Sequence, residues 1–158
     1  MTITVGDRLP EATLVKAGDS PEQVGTTEFF AGRRVALFAV PGAFTPTCSQ
    51  RHLPGFVEKG EALKAKGIDE VACTSVNDPF VMAAWAEQSE AQGITMLADG
   101  NGAFADALGL SFDGSKFGMG KRSQRYSMIV NDGVVEQLNI EQPGEFKVSS
   151  ADYLLDAI

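Results

Sequence analysis

The chain has 158 residues, 44% of them hydrophobic, and its 13 Lys and Arg against 21 Asp and Glu give a formal net charge of −8. That length suits one compact domain over residues 1–158, and an acidic balance without long runs of one sign argues against nucleic acid or anionic membranes as partners. MTITVGDRLP at the N-terminus has no basic stretch leading into an apolar one, and no window reaches the ~18 apolar residues of a bilayer span, so a cytoplasmic location is expected.

Val35–Val40 (VALFAV) follows Gly32 and stops at Pro41-Gly42; a short, unbroken apolar run of this kind predicts a strand buried on both faces. A helix is expected from Pro46 to about Lys66, opening with a proline where a first-turn proline is tolerated. Pro54 lies inside it, removes an N–H and crowds the preceding turn, so the helix should kink or loosen near Arg51. Val71–Val76 (VACTSV) is the second strand, Pro79 to about Gln92 the second helix and Thr95–Ala98 the third strand. Within that second helix Phe80, Met82 and Trp85 form an apolar set that reads as core packing.

Ser111–Gly120 (SFDGSKFGMG) has glycines and polar residues without periodicity and reads as an exposed loop. Tyr126–Val130 and Val134–Ile140 flank Asn131-Asp132-Gly133, a strong hairpin signal, and a helix over Ser149–Ile158 closes the chain. Alternating strands and helices followed by an antiparallel hairpin and a terminal helix predict an α/β, thioredoxin-like fold, a central mixed sheet flanked by helices.

Two cysteines, Cys48 and Cys73, are too few for a disulfide framework, so any thiol chemistry is catalytic or incidental. In Val40-Pro41-Gly42-Ala43-Phe44-Thr45-Pro46-Thr47-Cys48 a strand passes through a tight loop into a helix, with Thr45 as N-cap and Pro46 at the first helical position. Cys48 then falls in the first turn, where unpaired N–H groups and the helix dipole stabilise a thiolate. Read only by residue type, Cys48 is a small buried hydrophobe, Thr45 a helix cap, and Arg125, beside Lys121 and Arg122, a solvated strand-end charge.

PGAFTPTC followed by SQRHLPGFVE, then GIDEVACTSVNDPFVMAAWAE at Gly67–Glu87 and RSQRYSMIVNDGVVEQLNIE at Arg122–Glu141, resembles the peroxiredoxins over nearly the whole chain, closest to the plant type II-like subfamily. The resemblance implies a peroxidase in which Cys48 is the peroxidatic cysteine, Thr45 the hydroxyl that contacts peroxide, Arg125 the guanidinium beside the thiolate and Pro41 a shield over the pocket. It implies no metal, haem or flavin, a sulfenic acid recycled by glutathione with glutaredoxin or by thioredoxin, and a homodimer formed by loops near the site. In some members a cysteine at the spacing of Cys73 resolves the oxidised cysteine. The strand pattern around Cys73 argues instead for a buried, inert thiol, which local unfolding would have to expose.

His52, four residues after Cys48, raises a Cys–His nucleophile pair or half a zinc site. Two cysteines and one histidine fall short of four zinc ligands, and no signature of a Cys–His hydrolase is present, so His52 is expected to pack or hydrogen-bond. Two rivals from other classes stand beside the peroxidase. One is a thioredoxin-like redox binding or chaperone module without peroxide turnover; the other is a thiol–disulfide oxidoreductase, which would normally need a CxxC motif that this chain lacks.

Overall fold

Before the first predicted strand, the chain lays down β1 (Thr13–Lys16), β2 (Glu22–Gly25) and a short helix α1 (Thr26–Phe30), in a computed structural model that describes residues 2–158. Elements of four or five residues are shorter than the windows in which a period can be recognised, so all three escape a sequence reading. The expected alternation follows: β3 (Arg34–Ala39), a wide helical turn at Cys48–His52 running into α2 (Leu53–Ala65), β4 (Glu70–Ser75), α3 (Pro79–Gln88) and β5 (Ile94–Ala98). Then come α4 (Ala103–Leu108), β6 (Ser111–Asp113), β7 (Lys121–Ser123), β8 (Tyr126–Asn131), β9 (Val134–Ile140) and α5 (Ala151–Asp156).

Seven strands form one sheet in the order β2-β1-β5-β4-β3-β8-β9. The central β3, β4 and β5 pair in parallel, while β1, β2, β8 and β9 join antiparallel, so the sheet is mixed as expected. The period of two along β3 sorts its side chains between two cores. Ala36, Phe38 and Val40 face the core that holds Cys48, Phe56, Trp85 and Leu154, whereas Val35, Leu37 and Ala39 face Phe29, Phe30, Phe104 and Leu108. Helices therefore cover both faces, which is why VALFAV is apolar at every position. Each large side chain so buried contributes ~1.5–3 kcal/mol from lost apolar surface.

In the hairpin, Asn131 pairs with Val134, leaving Asp132 and Gly133 as the two-residue loop with φ of 50° and 79°. Positive φ at both central positions is the type I′ geometry whose twist matches the flanking strands.

Four details depart from expectation. α3 stops at Gln88 rather than near Gln92, because Glu90 takes a positive φ and turns the chain toward β5. Met82 and Trp85 are core residues, but Phe80 is 72% exposed and is not. Ser111–Gly120 is not simply a loop, since Ser111–Asp113 pairs with Lys121–Ser123 around a 3₁₀ turn at Ser115–Phe117; three-residue polar strands leave no alternation to read. The last helix begins at Ala151, capped by the Ser150 hydroxyl accepting from Tyr153 N–H, while Ser149 bonds elsewhere.

Candidate active site

Beyond β3, Val40 N–H still donates to the Thr74 carbonyl, after which Pro41 turns the chain out of the sheet. The Ala43 N–H donates to Asn77 Oδ1 at 2.9 Å, tying this loop to the end of β4. The backbone passes close at Gly42: a Cβ there would lie 3.2 Å from both Arg122 Nη1 and Thr45 Cγ2, so a larger residue would press on both side chains. Arg122 is itself held by the Met119 and Val76 carbonyls. Neither Asn77 nor Arg122 was anticipated, and the only sequence trace of Asn77 is its place in Val76-Asn77-Asp78-Pro79, where strand gives way to helix.

Thr45 opens the helix through its backbone, its carbonyl accepting from Ser49 N–H at 2.9 Å. Its side chain does not cap in the expected way. The hydroxyl donates to the Gly42 carbonyl at 2.7 Å, closing the loop rather than the helix end. Its proton is thereby committed, and toward a ligand the oxygen is an acceptor.

Cys48–His52 is a π-turn, with the Leu53 N–H donating to the Cys48 carbonyl five residues back. The loosening expected near Arg51 takes this form. Pro54 has no N–H for the Gln50 carbonyl, and the helix absorbs the missing bond by widening the turn just before it. Cys48 and His52 are both fully buried. The Trp85 indole donates to Ser49 Oγ at 2.9 Å and fastens α3 to this same turn.

Arg125 lies between β7 and β8, 77 residues from Cys48 in sequence, and its guanidinium closes the arrangement. Nη2 donates to Cys48 Sγ at 3.1 Å, and Nη1 contacts His52 Nδ1 at 2.9 Å. Arginine can only donate, so Nδ1 is the acceptor and the proton of His52 sits on Nε2, where it is given to the Ser149 carbonyl at 2.9 Å. Burial, reinforced by the Arg125 charge and opposed by the Ser149 carbonyl, lowers the His52 pKa to about 3. The imidazole is neutral throughout the physiological range, walled by Phe38, Phe56 and Phe146. With both ring nitrogens engaged, His52 is not the base of a Cys–His pair; it hydrogen-bonds and packs.

Pro41 and Thr45 are half-buried in the loop that precedes Cys48. Cys73 shares the hydrophobic core of Cys48 but lies inside β4, fully buried and paired on one side with Phe38 and on the other with Met96. Burial pushes its thiol pKa well up, the nearby Cys48 adds to this, and Arg125 only partly opposes it.

Residues 4–155 match the family model described as Redoxin. The chain is 46% identical to Peroxiredoxin-2B of Arabidopsis thaliana, covering 99% of this chain and 98% of that one. This chain belongs to the peroxiredoxins. It is also 51% identical to the chloroplastic Peroxiredoxin-2E-2 of Oryza sativa subsp. japonica, over 99% of this chain and 73% of the relative. Among solved structures, reduced Prx3 of Vibrio vulnificus in complex with hydrogen peroxide superposes with a TM-score of 0.96 at 52% identity, covering 99% of each chain. The plant type II-like resemblance is thus the family relationship, and the activity is thiol-dependent peroxide reduction. The peroxiredoxin relatives do not favour a binding module without turnover. Among the described residues of this peroxiredoxin, no helix is long and apolar enough to cross a membrane.

Proposed function

We propose that this peroxiredoxin reduces hydrogen peroxide and alkyl hydroperoxides with Cys48 as the attacking sulfur. The observation that carries this is the Arg125 guanidinium donating to Cys48 Sγ at 3.1 Å. A cation with fixed N–H donors favours thiolate over thiol and is already aimed at the charge that moves during attack. The thiolate sulfur bonds to one peroxide oxygen as the O–O bond breaks. The departing oxygen takes up the proton that the thiol had lost and leaves as water or alcohol. Cys48 is oxidised to sulfenic acid and the peroxide is reduced by two electrons.

Thr45, whose hydroxyl proton is held by Gly42, accepts the peroxide O–H and sets that oxygen in line with the sulfur. Pro41 shields the loop side of the pocket from water. Thr45→Val should lower the rate with peroxide about tenfold or more, while loss of its bond to Gly42 costs ~0.5–1.5 kcal/mol of stability. Thr45→Ser should recover most of the rate. A variant that melts earlier yet reacts normally would make Thr45 a loop fastener only.

Glutathione with glutaredoxin, or thioredoxin, then reduces the sulfenic acid, in a cytoplasmic homodimer whose residues 1–158 form one domain. Steady-state peroxidase assays with each reductant, together with sedimentation of the native protein, test these assignments. The peroxide-bound Vibrio vulnificus relative supports hydrogen peroxide as substrate.

Cys73 is read as dispensable, supported by its burial in a central strand and its raised thiol pKa. Cys73→Ala should keep most turnover with glutathione and glutaredoxin, and the oxidised wild type should show little Cys48–Cys73 disulfide by mass spectrometry. A high yield of that disulfide, with loss of thioredoxin-dependent turnover in the variant, would establish a two-cysteine cycle instead.

A further inference from the structure

Glu141 follows β9, is 6% exposed and forms no ion pair within 4 Å among the described residues. Lys147, whose backbone N–H the carboxylate accepts, places its ammonium on Glu145 instead. The Glu141 carboxylate is satisfied by the chain that comes after it. Oε2 accepts from the N–H groups of Lys147, Val148 and Ser149, each at 2.8 Å, and from the Ser149 hydroxyl at 2.6 Å. Oε1 accepts from Lys147 N–H at 3.0 Å. Burial pushes its pKa up, but these bonds outweigh that and leave it below the ordinary carboxylate value, so Glu141 is ionised at neutral pH.

The loop gathered on this carboxylate touches the site in two places. Ser149 presents the carbonyl that holds His52 in its Nε2–H tautomer, and Phe146 sets its ring 5.1 Å from the His52 ring and 5.8 Å from the Arg125 guanidinium carbon. A third tie runs along the backbone, where Glu141 N–H donates to the carbonyl of Arg125 itself at 3.0 Å. Continuous hydrogen bonds therefore join the Glu141 carboxylate, through Ser149 and His52, to the guanidinium that contacts Cys48.

We propose that Glu141 is a positioning residue for peroxide reduction, its carboxylate fixing residues 146–149 so that His52 and Phe146 hold Arg125 against Cys48. The inference rests on the reading of Arg125 and Cys48 given above. Five hydrogen bonds offset the burial of this carboxylate and fix one loop, and the Ser149 carbonyl and Phe146 ring of that loop carry its order to the guanidinium.

Glu141→Gln puts an N–H₂ where Oε1 faces the Lys147 N–H and removes the charge. The second-order rate with hydrogen peroxide should fall about three- to tenfold, as for residues coupled to a site through intermediates. The fraction of Cys48 present as thiolate at neutral pH, read by ultraviolet absorbance, should fall with it. Ser150→Ala is the matched control: it removes the cap of α5 from the neighbouring residue, so it lowers the melting temperature while leaving rate and thiolate fraction unchanged. Ser149→Ala, which deletes only the hydroxyl bond to Glu141, is the milder variant should Glu141→Gln fold poorly, and should shift both readouts in the same direction. In a His52→Ala background, Glu141→Gln should cost less than it does alone, because only the Phe146 contact with Arg125 is left to transmit it. Unchanged rate and thiolate fraction in Glu141→Gln, or equal losses in Ser150→Ala, would overturn the proposal. Cys48→Ser and Arg125→Gln assayed alongside test the underlying reading separately: if both lose turnover while Glu141→Gln keeps the wild-type rate and thiolate fraction, only the role of Glu141 fails.

Discussion

Cys48→Ser is expected to lose hydroperoxide reduction by ~10³-fold or more, the scale of removing a nucleophile from its supporting groups. A serine hydroxyl stays protonated at neutral pH even beside a guanidinium, and oxygen lacks the polarisable lone pair that attacks a peroxide. The fold should survive. Cys48 is fully buried, and a hydroxyl at its place would cost ~1–3 kcal/mol if left unbonded, but Arg125 Nη2, which already donates at 3.1 Å, can donate to it instead. Purified Cys48→Ser that melts within a few degrees of wild type and shows no peroxide consumption is the expected result. Measurable turnover with any reductant would move the chemistry off this residue.

Arg125→Gln is expected to slow reaction with peroxide ~10²–10³-fold, the range for losing a preorganised donor to developing charge. Two effects add. The sulfur loses the neighbouring cation that donates to it at 3.1 Å, and His52 Nδ1 loses the donor it has among the described residues, so the imidazole no longer has a fixed partner on that side. Arg125→Lys separates charge from shape: it keeps the cation, but a single ammonium cannot bridge Cys48 Sγ and His52 Nδ1 as the planar fork does. Its rate should fall between wild type and Arg125→Gln. Stopped-flow measurement of peroxide reduction, paired with thiolate absorbance, checks both variants. If Arg125→Gln reacts at the wild-type rate with an unchanged thiolate signal, the guanidinium does not serve the sulfur.

Which parts of this arrangement can be read from the chain follows from how local each cause is. VALFAV, VACTSV, the Asn131-Asp132-Gly133 turn and the first-turn proline at Pro46 all act within a few residues, and each element they signal is present near its expected place. Pro54 belongs with them, since its missing N–H widens the turn that carries Cys48 and His52. Thr45 was half legible. Its backbone starts the helix as expected, but which oxygen its hydroxyl would satisfy depended on how tightly Gly42 folds back under Arg122.

Arg125 looked like a surface charge by residue type, and only likeness to a family singled it out. The physical cause of its role is the pairing of β8 beside β3, which brings a residue 77 positions away to the mouth of the Cys48 turn. His52 had the right type for several chemistries, and its neutral, acceptor-at-Nδ1 state was set by two partners distant in sequence, a guanidinium and a backbone carbonyl. Glu141 and Phe146 left no trace, and Ser149 was read only as the start of the last helix, because the groups that the carboxylate, the ring and the Ser149 carbonyl meet are brought together only by the fold. Legible in the chain alone, then, were the order of the strands and helices around the sulfur and the wide turn that Pro54 forces, because local sterics and periodicity act without distant partners; the family was legible through the likeness of its motifs. Only the tertiary structure decided the tautomer of His52, the contact of Arg125 with Cys48 and the chain of bonds from Glu141 to Cys48, because each depends on groups that meet only when the sheet has closed.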